Sequence, residues 1–145
     1  MRTLAFSMIW LAWLRFRFAV LSDAPMLPLL IRASFWVAAL LAFVMAVLPQ
    51  PPALPAPEKM QHMIAFFALA VLGTAAYSRI SPVLLAALLC AFGGLIELVQ
   101  IAPALNRDGD LLDWVADIVA AASGLLLVHA WRQVRAARQR PISGN

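Results

Sequence analysis

Four long apolar runs, separated by short polar or proline-rich stretches, set the pattern of this chain. The first covers residues 27–48. Its roughly twenty residues would make about 30 Å of helix, the thickness of a bilayer's hydrocarbon core. The run PQPPALPAP at 49–57 stops it, because prolines cannot continue a helix and favour an extended linker. A second span is expected over 60–77, opened by Glu58, Lys59 and His62. The turn Ser78-Arg79-Ile80-Ser81-Pro82 follows, with Pro82 suited to a first helical position. Residues 83–101 form the third span. The polar loop Asn106-Arg107-Asp108-Gly109-Asp110 leads into the fourth, 111–131, after which come Arg132, Arg135, Arg138 and Arg140.

The expected fold class is therefore all-α, an integral membrane four-helix bundle in residues 27–131 with a basic cytoplasmic tail at 132–145. Residues 1–25 read as an additional N-terminal interfacial helix, dispensable to the bundle. Arg15 and Arg17 interrupt the apolar pattern there beside Trp10 and Trp13, and such a helix lies comfortably in the interface plane. A signal peptide is the rival reading, with Arg2 as its basic region, but no small-x-small cleavage site follows. Met26 is an alternative natural start.

Composition supports the membrane reading. The chain of 145 residues is 64% hydrophobic and 12% charged, about half the charge of an ordinary soluble domain. Its mean hydropathy is +0.89. The lone Cys90 excludes an internal disulfide and a cysteine-based metal site; mid-span, it acts as a small apolar residue. The net charge of +4 does not point to nucleic acid, because the basic residues cluster at the ends of apolar runs.

Their distribution predicts topology. With four spans, both termini and the Arg79 turn share one side. That side carries nine arginines against Asp23, a formal +8. The other carries Lys59 and Arg107 against Glu58, Glu97, Asp108, Asp110, Asp113 and Asp117, a formal −4. The positive-inside rule then places both termini in the cytoplasm. His129 and Trp131 fall where inner-interface anchors belong.

Chemistry concentrates on the acidic side. Five of the seven acidic residues fall between Gly93 and Gly124. A carboxylate at mid-helix costs about 2.5–3.5 kcal/mol on insertion scales, so it usually faces a protein interior. Glu58 and His62, Glu97 and Gln100, and Asp113 and Asp117 are each spaced to share one helix face. If those faces converge, a polar pocket lies about one turn inside the bundle, with Asn106-Arg107 closing over it. Glu97 and Asp117 lie too deep for snorkelling or capping to explain. His62 beside Glu58 also reads as a helix-end ion pair, Asp110 as an N-cap, and Gly93-Gly94 as close helix packing.

One His, one Glu and two Asp offer ligand types that suit Zn²⁺, Mn²⁺ or Mg²⁺. No HExxH or other tight ligand spacing is present, so no residue is assigned to a metal and no cofactor is named. Nor is there a nucleophile elbow, a Gly-rich phosphate loop or a Ser/His/Asp signature.

The motifs EKMQHMIAFFALAVLG, GGLIELVQ, the Arg107 loop and LLDWVAD together resemble the VanZ-like family of small bacterial membrane proteins, over about residues 58–127. The resemblance implies an E/D-K-x-x-H opening at Glu58, Lys59 and His62, and E-x-x-Q at Glu97 and Gln100. It further implies a loop Arg at Arg107 and D-x-x-x-N at Asp113 and Asp117. Here Asp117 stands in place of the Asn, and Ala120 where a Gly is common; an Asp carries charge where an Asn cannot. The family takes its name from a protein linked to low-level resistance to teicoplanin, a glycopeptide that acts on the cell wall.

The expected function is thus that of a VanZ-like protein of the bacterial cytoplasmic (inner) membrane, with an outward-facing polar site. That site would bind or process an amphiphilic cell-envelope component. Lys59 and Arg107, with Gln100 and Asp113, would hold an anionic lipid-linked or cell-wall group. Glu97 or Asp117 would serve with His62 as proton donor and acceptor. The rival expectation is a non-catalytic bundle whose polar residues lock helices together. The reaction, if any, and the oligomeric state are left open by the sequence.

Overall fold

In a bilayer every backbone amide must be bonded within the segment, so long apolar runs become helices. The computed structural model describes residues 26–53, 55–105, 107 and 109–139, and among them the protein is helical with no strand. The four helices are α1 (Met26–Val47), α2 (Glu58–Ala76), α3 (Pro82–Gln100) and α4 (Leu111–Arg138). A 3₁₀ turn, Pro103–Leu105, lies between α3 and α4. All four are long and apolar enough to cross a membrane. The expected interfacial helix at 1–25 lies outside the described residues.

Helix ends follow local chemistry. Pro82 opens α3, and Ser81 caps it by accepting from the Leu84 amide at 3.1 Å. The N-cap of α4 is Asp110, whose carboxylate accepts from the Leu112 amide at 2.8 Å. Where the sequence pattern ended the fourth span at residue 131, the helix runs on to Arg138. Nothing in WRQVRAAR breaks a helix, arginine and alanine being strong formers, and the next proline is Pro141. At 1.5 Å per residue α4 is about 42 Å long, more than a hydrocarbon core needs. Its last turns therefore carry the basic residues as a helix rather than as an irregular tail.

The most extensive interface joins α2 and α4; α1 packs on α2, and α3 on α4. Phe66, Leu69 and Ile96 are almost wholly inaccessible, and the small residues Ala70, Ala120 and Ala121 are buried between them. Small side chains let helix backbones approach, the usual means of association where lipid supplies no hydrophobic drive. The outward faces are apolar too: Leu40, Val83, Leu98 and Leu126 are all more than half exposed. Helices apolar all round are suited to a lipid surround, and this is a multi-pass membrane architecture.

At the basic end, polar groups serve the backbone. Arg32 donates to the Ala76 carbonyl at 3.3 Å and Arg132 to the Thr74 carbonyl at 3.0 Å. Both satisfy acceptors that the end of α2 leaves without an intrahelical partner. The Trp36 indole donates to the Tyr77 hydroxyl at 2.8 Å, and Phe35 packs edge-on against both rings. Arg135 stacks over the Trp131 ring at 4.5 Å.

Candidate functional site

Opposite the basic end, the first turns of α2 and α4 meet the last turn of α3. Each brings acid or imidazole, and three helices deliver them to similar depth. His62 lies four residues into α2, Glu97 three before the end of α3, and Asp117 two turns into α4. Across the α2–α4 interface His62 Nδ1 stands 3.5 Å from Asp117 Oδ2. The two side chains are 8% and 1% exposed. One ligand-type atom from each of His62, Glu97 and Asp117 lies within 4.8 Å of the others.

Glu97 is 9% exposed. Its Oε2 accepts the Asp110 backbone amide at 2.7 Å, so the α3–α4 loop folds back onto the carboxylate. Gly109 permits this fold: a Cβ there would meet the Glu97 carbonyl oxygen and Ile101 Cγ1 at 2.9 Å each. Two carboxylate oxygens of the trio, Glu97 Oε1 and Asp117 Oδ1, are buried without a hydrogen-bond partner.

Packing next to the trio is close. At Gly93 an added Cβ would stand 3.2 Å from Trp114 Cδ1 and 3.4 Å from Asp117 Oδ2, so this glycine makes room for both. The Trp114 indole donates to the Cys90 carbonyl at 2.9 Å, which joins α4 to the middle of α3.

Nearer the surface, the two cations already have partners. Lys59 Nζ lies 3.1 Å from Asp113 Oδ1 and 3.8 Å from Asp110 Oδ2. The first is an ion pair by distance without hydrogen-bond alignment. Arg107 pairs with Glu58. Among the described residues no lysine or arginine lies within ion-pair distance of Glu97 or Asp117.

A cavity of about 250 Å³ opens beside the trio. Glu58, Gln61, His62 and Arg107 give it a polar side; Ala42, Met45, Phe66 and Ile96 give it an apolar one. The Pro51–Pro52–Ala53 stretch of the linker forms a wall, and Gln61 fastens the linker by donating to the Ala56 carbonyl at 2.8 Å.

The residues singled out from sequence divide into three groups. His62, Glu97 and Asp117 converge. Lys59, Arg107, Asp110 and Asp113 form a rim of ion pairs around them. Gln100, 3% exposed, instead donates to the Ala46 carbonyl of α1 at 3.0 Å. The partner of His62 is Asp117 rather than Glu58, its neighbour four residues back. Gln61 and Trp114 were missed. Trp114 sits one turn before Asp117, on the same face, which was a usable signal; for Gln61 there was none. Asn106 lies outside the described residues.

No protein-family model, curated protein or solved structure matches the chain.

Proposed function

We propose that this is a VanZ-like protein of the bacterial cytoplasmic membrane, with both termini cytoplasmic, that binds or processes an amphiphilic cell-envelope component. The supporting observation is the two-sided cavity, which joins the Arg107–Glu58 pair and His62 to apolar walls one turn inside the bundle. An amphiphile needs that combination: a charged group near the surface and a place for the start of its chain. Arg107 would exchange Glu58 for an anionic headgroup, since a guanidinium holds phosphate or carboxylate by two bonds. Lys59 would add a point charge. His62 with Asp117 or Glu97 would move a proton at the bound group. The excess of arginine at the opposite end supports an outward-facing site.

A second reading is a non-catalytic bundle. The Gln100–Ala46 bond and the Glu97–Asp110 amide bond favour it, because both tie elements together and neither needs a ligand.

Glu97→Gln separates the two. A glutamine oxygen can still accept the Asp110 amide, so the fold should survive within about 1 kcal/mol. In a strain lacking the protein, complementation is read as envelope lipid and cell-wall precursor levels beside membrane protein level. The proposal expects normal protein level with no complementation. A folded and fully active Glu97→Gln protein would end the catalytic reading and leave binding or a structural role.

A further inference from the structure

We propose that His62, Glu97 and Asp117 bind one divalent transition-metal ion, Zn²⁺ or Mn²⁺, leaving a coordination position open toward the cavity. The inference rests on the geometry of the trio and goes beyond the envelope reading, which it does not require.

Charge is the first argument. Two carboxylates lie at most 9% exposed beside one imidazole, and every lysine or arginine ion pair among the described residues goes to other acids. Buried charge of one sign needs compensation, and a divalent cation supplies it in full.

The second argument is valence. Glu97 Oε1 and Asp117 Oδ1 are buried oxygens with nothing bonded to them, while most buried polar atoms in proteins are satisfied. The Asp110 amide holds Glu97 Oε2, the kind of outer support that metal-ligating carboxylates have.

Distance is the third. Ligands 2.0–2.1 Å from a tetrahedral ion stand about 3.3 Å apart. The His62 Nδ1–Asp117 Oδ2 separation of 3.5 Å is long for a hydrogen bond and close to that edge. The whole trio fits within 4.8 Å, so Glu97 has at most about 1.5 Å to close by side-chain rotation to reach the same ion.

Ligand type selects the metal. One imidazole with two carboxylates suits Zn²⁺ or Mn²⁺ better than Ca²⁺ or Mg²⁺, which prefer all-oxygen sites. Three protein ligands with a fourth position open is the pattern of catalytic rather than structural zinc. Of the three ligands His62 lines the cavity, so the imidazole edge is where an entering group would approach the ion.

The test is the metal content of the full chain purified in detergent without chelators, before and after equilibration with Zn²⁺ or Mn²⁺. The expected result is about one equivalent of one of these metals. Its affinity should fall at least 10–100-fold in His62→Ala and Asp117→Asn, the range seen even for outer-shell changes, and stay unchanged in Arg132→Leu at the opposite end of the bundle. Added metal should also raise the thermal midpoint of the chelator-stripped wild type, since binding to the folded state stabilises it. This readout stands even if the variants fail to accumulate. Wild-type protein that takes up neither metal and shows no midpoint shift overturns the proposal; in that case protons neutralise the trio. Metal retained in both His62→Ala and Asp117→Asn overturns it as well. A metal-free protein with an envelope phenotype sinks only the metal; a metal-loaded one without a phenotype sinks only the envelope reading.

Discussion

The two ends of the bundle differ in what their charged side chains meet. At the basic end, arginine side chains reach backbone carbonyls: Arg32 meets Ala76 and Arg132 meets Thr74. These bonds complete the C-terminal turn of α2. At the acidic end, besides backbone bonds such as Gln100–Ala46, side chains of opposite charge type meet across elements. His62 faces Asp117, Lys59 faces Asp113 and Arg107 faces Glu58. Glu97 Oε1 and Asp117 Oδ1 there have neither a hydrogen bond nor an ion pair. A site whose groups only closed helix ends would look like the basic end. The leftover valence and the adjoining cavity are what single out the acidic end as the place for chemistry.

The largest expected effect concerns which end faces out. A reporter active only outside the cytoplasm should work within residues 49–57 and be silent after Asn145; a cytoplasmic reporter should show the reverse. The expected contrast is all or none, from nine arginines on one side against Lys59 and Arg107 on the other. An externally active fusion after Asn145 would invert the comparison and remove the outward-facing site.

Next comes the His62–Asp117 pair. Removing one partner of a buried polar pair costs about 1–3 kcal/mol, because the other is left unsatisfied. His62→Ala should therefore lower membrane protein level and thermal midpoint strongly. The double variant His62→Ala/Asp117→Leu should recover most of that stability and none of the function, since an apolar replacement of both partners is often neutral. If the double variant is no more stable than the single, the two residues are not energetically coupled and the site loses its centre.

The smallest effect belongs to the basic end. Arg32→Leu or Arg132→Leu removes one interhelical hydrogen bond, worth about 0.6 kcal/mol on average within membranes. A thermal midpoint shift of a few degrees at most is expected, with function retained. Lost function at unchanged protein level would mean that the basic end, too, carries more than structure.

Much of the fold was legible because bilayer physics is one-dimensional. Length and apolarity alone define a span, and the bounds of α1, α2 and α3 fall within two residues of the sequence reading. The Asp110 cap was legible for a similar reason: its partner, Leu112, is two residues away. Local spacing also placed Glu97, His62 and Asp117 at one end and on shared faces. It could not give their partners. His62 and Glu58 satisfy the helical spacing rule, yet the imidazole is turned across the interface toward a residue 55 positions away. Rotation of a helix about its axis is set by packing, and small residues such as Ala70 and Ala120 lie buried in the bundle here.

The sequence by itself thus determined how many spanning helices the described residues form, where they begin, and which end of the bundle holds the acids. Each of these depends on composition over a few turns. Only the tertiary structure decided that Gln100 serves Ala46, that Lys59 and Arg107 are engaged by Asp113 and Glu58, and that three side chains from three helices close to within 4.8 Å. Those pairings depend on the crossing and rotation of whole helices. No spacing within a single helix encodes them.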